Sequence, residues 1–133
     1  MDIKAPAETI FKIIDDDENY AKWNLVVKSV EKLGEGNYKF ESTVGDVYST
    51  RVETVPNERL SAKQEGSPIT SLGYILNSKG DFVETTLWAE FEEAEQEMVL
   101  GIAADMFIEC LRKYAEYIEA GGNPDEFNKR KAK

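Results

Sequence analysis

Hydrophobic and polar positions divide the chain into a helical opening, a middle of period-two alternation and a helical end. Ala5-Pro6-Ala7-Glu8 opens a helical pattern, and the fixed φ of Pro6 suits a first turn. Ile10, Phe11, Ile13 and Ile14 supply an apolar face, and the run Asp15-Asp16-Asp17-Glu18-Asn19 ends it. A second short helix is predicted over Tyr20 to Trp23. From Leu25 the pattern becomes that of strands. Leu25 to Leu33 is β-rich, and Gly34-Glu35-Gly36-Asn37 signals a hairpin. Further turns are predicted at Gly45-Asp46, Pro56-Asn57-Glu58, Gly66-Ser67-Pro68 and Ser78-Lys79-Gly80-Asp81. Six strands joined by short turns make an antiparallel meander, the last running over about Phe82 to Glu92.

Alternation assigns the two faces of that sheet. The inward sets are Tyr38, Phe40 and Ser42; Tyr48, Thr50, Val52 and Thr54; Leu60, Ala62 and Gln64; Leu72, Tyr74 and Leu76; and Val83, Thr85, Leu87, Ala89 and Phe91. Glu41, Glu53, Glu65 and Glu84 then point outward. The C-terminal third reads as one long amphipathic helix over about Ala94 to Ala120. Asp105, Glu109, Arg112, Glu116 and Glu119 lie on one side, and Leu100, Ala103, Ala104, Phe107, Leu111, Tyr114 and Ile118 on the other. Gly121-Gly122 ends it and Pro124 prevents its resumption. A sheet with one apolar face and one amphipathic helix implies an α+β domain with the helix laid across the sheet. Residues 1–122 are expected to form this single domain, and 123–133 a flexible basic tail.

Composition narrows what such a domain can do. With 133 residues, 41% of them hydrophobic, the chain can bury roughly two-thirds of its unfolded surface without staples. One cysteine and no histidine exclude a disulfide framework, a zinc cluster and Ser-His or Cys-His nucleophilic machinery. Net charge is −10, and −12 without the last eleven residues. A field of that sign repels phosphate backbones, so no nucleic-acid partner is expected. No apolar run approaches the ~18 residues of a membrane span, and no signal peptide opens the chain, so the cytoplasm is the expected location.

Candidate chemistry is sparse. Asp15, Asp17 and Asn19 match the first positions of a calcium loop, but Tyr20 stands where the glycine is required and Val26 where the glutamate is required. The acidic run therefore reads as a solvated helix end, and no metal or cofactor is expected. Cys110, on the helix flank without a basic neighbour, reads as a buried inert thiol. With the glutamates outward, no general base faces inward, and no facing carboxylates are expected there. Inward Ser42, Thr50, Thr54, Gln64 and Thr85 offer hydrogen bonds, and Tyr38, Tyr48 and Tyr74 could polarise a carbonyl. The inner aromatics, with Trp23 at one end, form either a packed core or the wall of an apolar pocket. Small residues Gly101, Ala103 and Ala104 on the helix leave both options open.

Two short helices, a meander and one long helix resemble the helix-grip fold of the START/polyketide-cyclase superfamily, which includes the birch-pollen allergen family and the chaperone-activator domains. Ile3-Lys4-Ala5-Pro6-Ala7-Glu8-Thr9-Ile10-Phe11 is similar to that family's strand-to-helix opening. Trp23 matches its tryptophan before strand two, Val55-Pro56-Asn57-Glu58-Arg59-Leu60 its proline turn followed by Arg-Leu, and Thr85-Thr86-Leu87 its Thr-x-aliphatic step. The resemblance spans about residues 3–120. It implies a curved sheet of six to seven strands wrapped on the last helix, with a cavity between them. The expected function is non-enzymatic binding of a small hydrophobic or amphipathic ligand, as carrier or sensor. The alternatives are a cyclase/dehydratase-like enzyme or a chaperone-activator-like interaction domain. Expected ligand contacts are Trp23, Tyr38, Phe40, Tyr48, Gln64, Tyr74, Leu76, Thr85, Leu87, Ala103, Ala104, Phe107 and Leu111. Only Met1-Asp2-Ile3-Lys4 precedes the Ala-Pro step, so the first strand should be a stub, and a homodimer through that edge is a further expectation.

Overall fold

Alternating side chains and turn residues build one antiparallel sheet of seven strands. They are β1 (Asp2–Ile3), β2 (Val27–Gly34), β3 (Asn37–Ser42), β4 (Gly45–Val55), β5 (Arg59–Glu65), β6 (Ile69–Ser78) and β7 (Val83–Phe91). Their order is β1-β7-β6-β5-β4-β3-β2. The helices are α1 (Ala7–Asp15), α2 (Tyr20–Trp23) and α3 (Glu97–Glu119). This computed structural model describes residues 1–25, 27–42, 45–66, 69–91, 97–127 and 129. Ser67-Pro68 of the fourth turn, the strand end at Glu92, the helix start at 94–96, the Leu100 side chain and the basic residues 130–133 lie outside that set.

The amphipathic patterns explain the packing. Ile10, Phe11 and Ile14 of α1 are buried, as are Leu111, Tyr114 and Ala115 of α3. Cys110 is buried beside them. On the sheet, Phe40, Leu60, Ala62, Tyr74, Leu76, Val83 and Thr85 all face inward and are buried. Glu41, Glu65 and Glu84 are exposed, as the alternation requires, and Glu53 is exposed beyond a bulge in β4. Across the strands, Leu60 pairs with Tyr74 and Tyr74 with Leu87, while Ala62 pairs with Leu72 and Leu72 with Ala89.

Strand β4 runs in the opposite phase to the one its apolar residues suggest. Val47 and Ser49 are buried, whereas Tyr48 is 45% and Val52 57% exposed. Thr50 and Thr54 also face out. The inward series is Val47, Ser49 and Arg51, with Val47 opposite Phe40. A one-residue shift exchanges the two faces, and here two of the three inward residues are polar. A bulge between Arg51 and Glu53 then bends the strand.

The first strand is two residues long. It pairs Asp2 with Glu84 and Ile3 with Val83. The Met1 ammonium donates to the Thr85 carbonyl at 2.8 Å, and the Thr85 N–H returns a bond to Met1. The chain after α3, expected to be a flexible tail from residue 123, instead packs back as far as it is described. Phe127 meets Tyr114 at 4.8 Å and Tyr117 at 5.0 Å between ring centroids. Lys22 bonds to Asp125, and the Lys129 ammonium donates to the carbonyls of Ala21, Asn24 and Val27. The Ala21 and Asn24 carbonyls lie at the C-terminal end of α2, where a cation is favoured, and that of Val27 opens β2.

Gly73 is required by a close approach on the outer face of the sheet. A methyl added there would sit 2.6 Å from the Trp88 indole on the neighbouring strand. Gly73→Ala is therefore expected to cost about 1–3 kcal/mol by overpacking. Most of that penalty should vanish when Trp88→Ala is present, a coupling that urea melts of the four-member mutant cycle will measure.

Candidate functional site

Small side chains on facing surfaces leave space where α3 crosses the upper sheet. Ala62 and Ala89 lie on one cross-strand row of the floor, joined by Leu72. Ala103 and Ala104 line it from α3, and the resulting half-open cleft spans about 900 Å³ when the part continuous with solvent is counted. Val27, Phe40, Val47, Leu60, Ile69, Leu87 and Phe107 complete its apolar wall. One turn or more further along α3, Leu111 and Ala115 are wholly buried and the layers meet without such a gap.

Polar side chains of the lining come from the turn after α1 and from three strands. Asp17 follows α1, Ser42 comes from β3, Arg51 and Ser49 from β4, and Gln64 from β5 directly opposite Ser49. Arg51 bridges two carboxylates. Its Nη1 donates to Asp15 Oδ1 at 2.7 Å and to Thr54 Oγ1 at 3.1 Å. Its Nη2 donates to Asp17 Oδ2 at 2.6 Å and to the Asp15 carbonyl at 3.3 Å. Asp15 lies on the solvent side, with 46% of its side chain exposed, against 11% for Asp17. Among the described residues, no donor reaches Asp17 Oδ1.

Burial dominates the titration of this group. It pushes the Asp17 carboxyl up to about 6, against the opposing pull of Arg51, and the charges of Asp15 and Asp16 push the same way. Burial also lowers the Arg51 guanidinium, but its bonds to Asp15 and Asp17 outweigh that and hold it above its ordinary value. Tyr20 lines the pocket beside Asp17; burial and then the Asp17 charge raise its phenol. The Tyr20 hydroxyl is committed to the Ile14 carbonyl at 2.7 Å. Tyr74 Oη lies close to it in the buried layer below, yet makes no well-formed hydrogen bond.

The residues expected to contact a ligand separate into three groups. Phe40, Gln64, Leu87, Ala103, Ala104 and Phe107 line the pocket. Trp23, Tyr74, Leu76, Thr85 and Leu111 are buried in the packed layer and do not line it. Trp23 stacks on Tyr114 at 6.3 Å and meets Phe107 edge-on at 6.0 Å. Tyr38 is half-buried on β3 next to Phe40, outside the lining. Tyr48 is on the outer face, a consequence of the phase of β4. Several lining residues lie outside the expected contact set, and those that change the chemistry are Asp17, which the pattern places in a solvated helix end, Ser49 and Arg51, which it places on the outer face, and Tyr20 of α2. The absence of an inward acid–base group is thereby corrected: Asp17 is one. No local signal marks these residues, because the phase of β4 that turns Arg51 inward depends on its buried carboxylate partner.

No protein-family profile matches the chain, and no curated protein matches its sequence. Solved structures do. A START superfamily protein from Mycobacterium smegmatis is similar over 89% of this chain and 94% of its own, with a TM-score of 0.73 and 15% identity. The Zhui aromatase/cyclase from a Streptomyces species is similar over 92% and 95%, with a TM-score of 0.69 and 16% identity. The Aha1 dimer from Colwellia psychrerythraea is similar over 92% and 95%, with a TM-score of 0.69 and 14% identity. The chain has the helix-grip, START/polyketide-cyclase-like fold that these proteins share. Among the described residues no helix is long and apolar enough to cross a membrane.

The raised carboxyl gives a signed pH dependence. Asp17 titrates at about 6 in the folded chain, against an ordinary 3.8, so folding favours its protonated form between those values. The stability this contributes is present below the lower value and is lost as pH rises through the upper one. Between pH about 4 and about 7, unfolding free energy of the parent should fall relative to Asp17→Asn, by on the order of 3 kcal/mol. Paired denaturant melts across that range measure the difference.

Proposed function

We propose that the protein binds a small hydrophobic or amphipathic molecule between the sheet and α3, as a non-enzymatic carrier or sensor. The observation that carries this reading is the space left by Ala62, Ala89, Ala103 and Ala104 inside an otherwise apolar wall. Four small side chains on facing layers forgo the contacts that larger ones would make, and a ligand restores them. The few polar groups, gathered on one part of the wall, suit the orientation of an amphipathic guest. Structural neighbours with the same fold support a ligand-binding role without naming the ligand.

A second reading is favoured by one observation. A carboxyl near 6, beside a guanidinium and inside an apolar cavity, has the properties of a general acid–base group. In that reading Asp17 takes a proton from a carbon next to a carbonyl, and Ser49 or Gln64 hydrogen-bonds the carbonyl oxygen. The resemblance to the Zhui aromatase/cyclase fits a cyclase/dehydratase-type reaction. Native mass spectrometry of protein taken from its own cells separates the two: a carrier retains an intact ligand, and an enzyme converts what it is given.

Filling the space tests both together against an ordinary core. Ala104→Phe should change stability by less than about 1 kcal/mol while abolishing the binding of an apolar dye, whereas in a packed core it would cost about 1–3 kcal/mol. Phe107→Ala, at the cavity wall, should cost less than the roughly 3–5 kcal/mol of a phenylalanine packed on all sides. A parent protein that binds no dye, together with a large loss from Ala104→Phe, would overturn the binding reading.

A further inference from the structure

Among the described residues two lining side chains are charged, Asp17 and Arg51, and they are already paired with each other. What they leave unpaired determines which polar end a ligand can bring. Four of the five N–H donors of the Arg51 guanidinium are taken by Asp15, Thr54 and Asp17. The cation is therefore spent within the protein. Asp17 keeps an open acceptor oxygen, because only its Oδ2 is engaged. Asp15 and Asp16 add negative charge next to it, and one arginine cannot balance three carboxylates. The chain as a whole carries the same sign, −10. Ser49 and Gln64, opposite each other on β4 and β5, add neutral hydrogen-bonding groups on the same wall.

We propose that the cavity selects amphiphiles whose polar end is not anionic and donates a hydrogen bond, such as an alcohol, phenol or amine, and that it rejects carboxylates and phosphates. This rests on the binding reading above. A donor head placed against Asp17 Oδ1 completes that oxygen's hydrogen bonding without disturbing Arg51. Among the described lining residues an anionic head finds no free cation. To gain one it must draw Arg51 away from Asp17, which leaves a buried carboxylate unpaired beside a second negative charge. Its own desolvation then goes uncompensated. The rejection is thus built into the pairing, and the acceptor that remains chooses the donor.

Matched probes test this with the full chain. An apolar dye bound to the cavity is displaced by 1-decanol, decylamine or decanoate, which differ only in the polar end, at pH 7.5 and below their aggregation limits. The parent should bind decanol at least about tenfold more tightly than decanoate, the size of one lost charged contact. Decylamine should bind at least as well as decanol, and should compete with decanol rather than add to it, which separates the cavity from the acidic surface. In Asp17→Asn the inner carboxylate charge is gone while Asp15 and Thr54 still hold Arg51, so the guanidinium charge facing the cavity is no longer offset by Asp17, and the decanol-to-decanoate ratio should fall about tenfold or more. The parent ratio needs no variant, so it remains decisive if Asp17→Asn fails to fold. Decanoate binding as tightly as decanol to the parent would overturn the proposal, and so would an unchanged ratio in a folded Asp17→Asn. Dye binding that no probe displaces would overturn the head-group rule while leaving the cavity reading intact. Failure of the dye and every probe to bind would overturn the cavity reading itself.

Discussion

Trp23 is the side chain on which the layers of this protein meet. Its ring is buried, stacked on Tyr114 of α3 and edge-on to Tyr20 and Phe107. Phe107 in turn meets Tyr74 on the sheet at 6.2 Å, and Tyr20 meets Phe40 at 5.7 Å. Aromatic pairs in these offset and edge-on arrangements add to the burial of their large apolar surfaces. The cluster fixes the height of α3 above the sheet at one end. Beyond it the alanines of α3 cannot reach the floor, and that is why a cavity begins where the aromatic layer stops. The C-terminal segment braces the same cluster from outside, through Phe127 against Tyr114 and Lys129 on the carbonyls around α2.

The ion pair in the cavity wall is costly to build. Taking Asp17 and Arg51 out of water opposes folding, and an apolar pair of equal volume would often serve stability as well or better. Its position argues for another role. Asp17 is delivered by the turn after α1, Tyr20 by α2 and Arg51 by β4, so three separate elements converge on one corner of an apolar space. Arg51 also reaches out to Asp15, which lets one guanidinium link the solvent side of the wall to its inside. The result is a polar corner in which a carboxylate, a guanidinium and neutral hydrogen-bonding side chains share one wall of the apolar space.

The two proposed readings, binding and proton transfer, draw on different properties of the same corner. For a carrier, what matters is the open acceptor and the spent cation, which sort ligands by their polar end. For an enzyme, what matters is that burial raises the carboxyl toward neutrality, so that it can both take and return a proton. Both readings need the apolar wall, because only exclusion of water gives a single carboxylate this leverage.

Much of the architecture was legible along the chain because it follows from periodicity. The alternation of Phe40 and Ser42, of Leu60, Ala62 and Gln64, and of Val83, Thr85 and Leu87 placed those residues on the inner face. The spacing of Ala104, Phe107, Leu111 and Tyr114 placed them on one side of α3. Local rules hold there because burial rewards the pattern directly. They failed in β4, where Tyr48 and Val52 mimic an inward set, and at Asp17, which looks like one of five solvated polar residues in a row. Arg51 and Asp17 are separated by many residues, and each is acceptable inside only because the other is there. No window of sequence contains that condition. Which side of β4 faces the helix, and which of three consecutive aspartates turns inward, were decided by the tertiary contact, since a buried charge is tolerated only beside its partner.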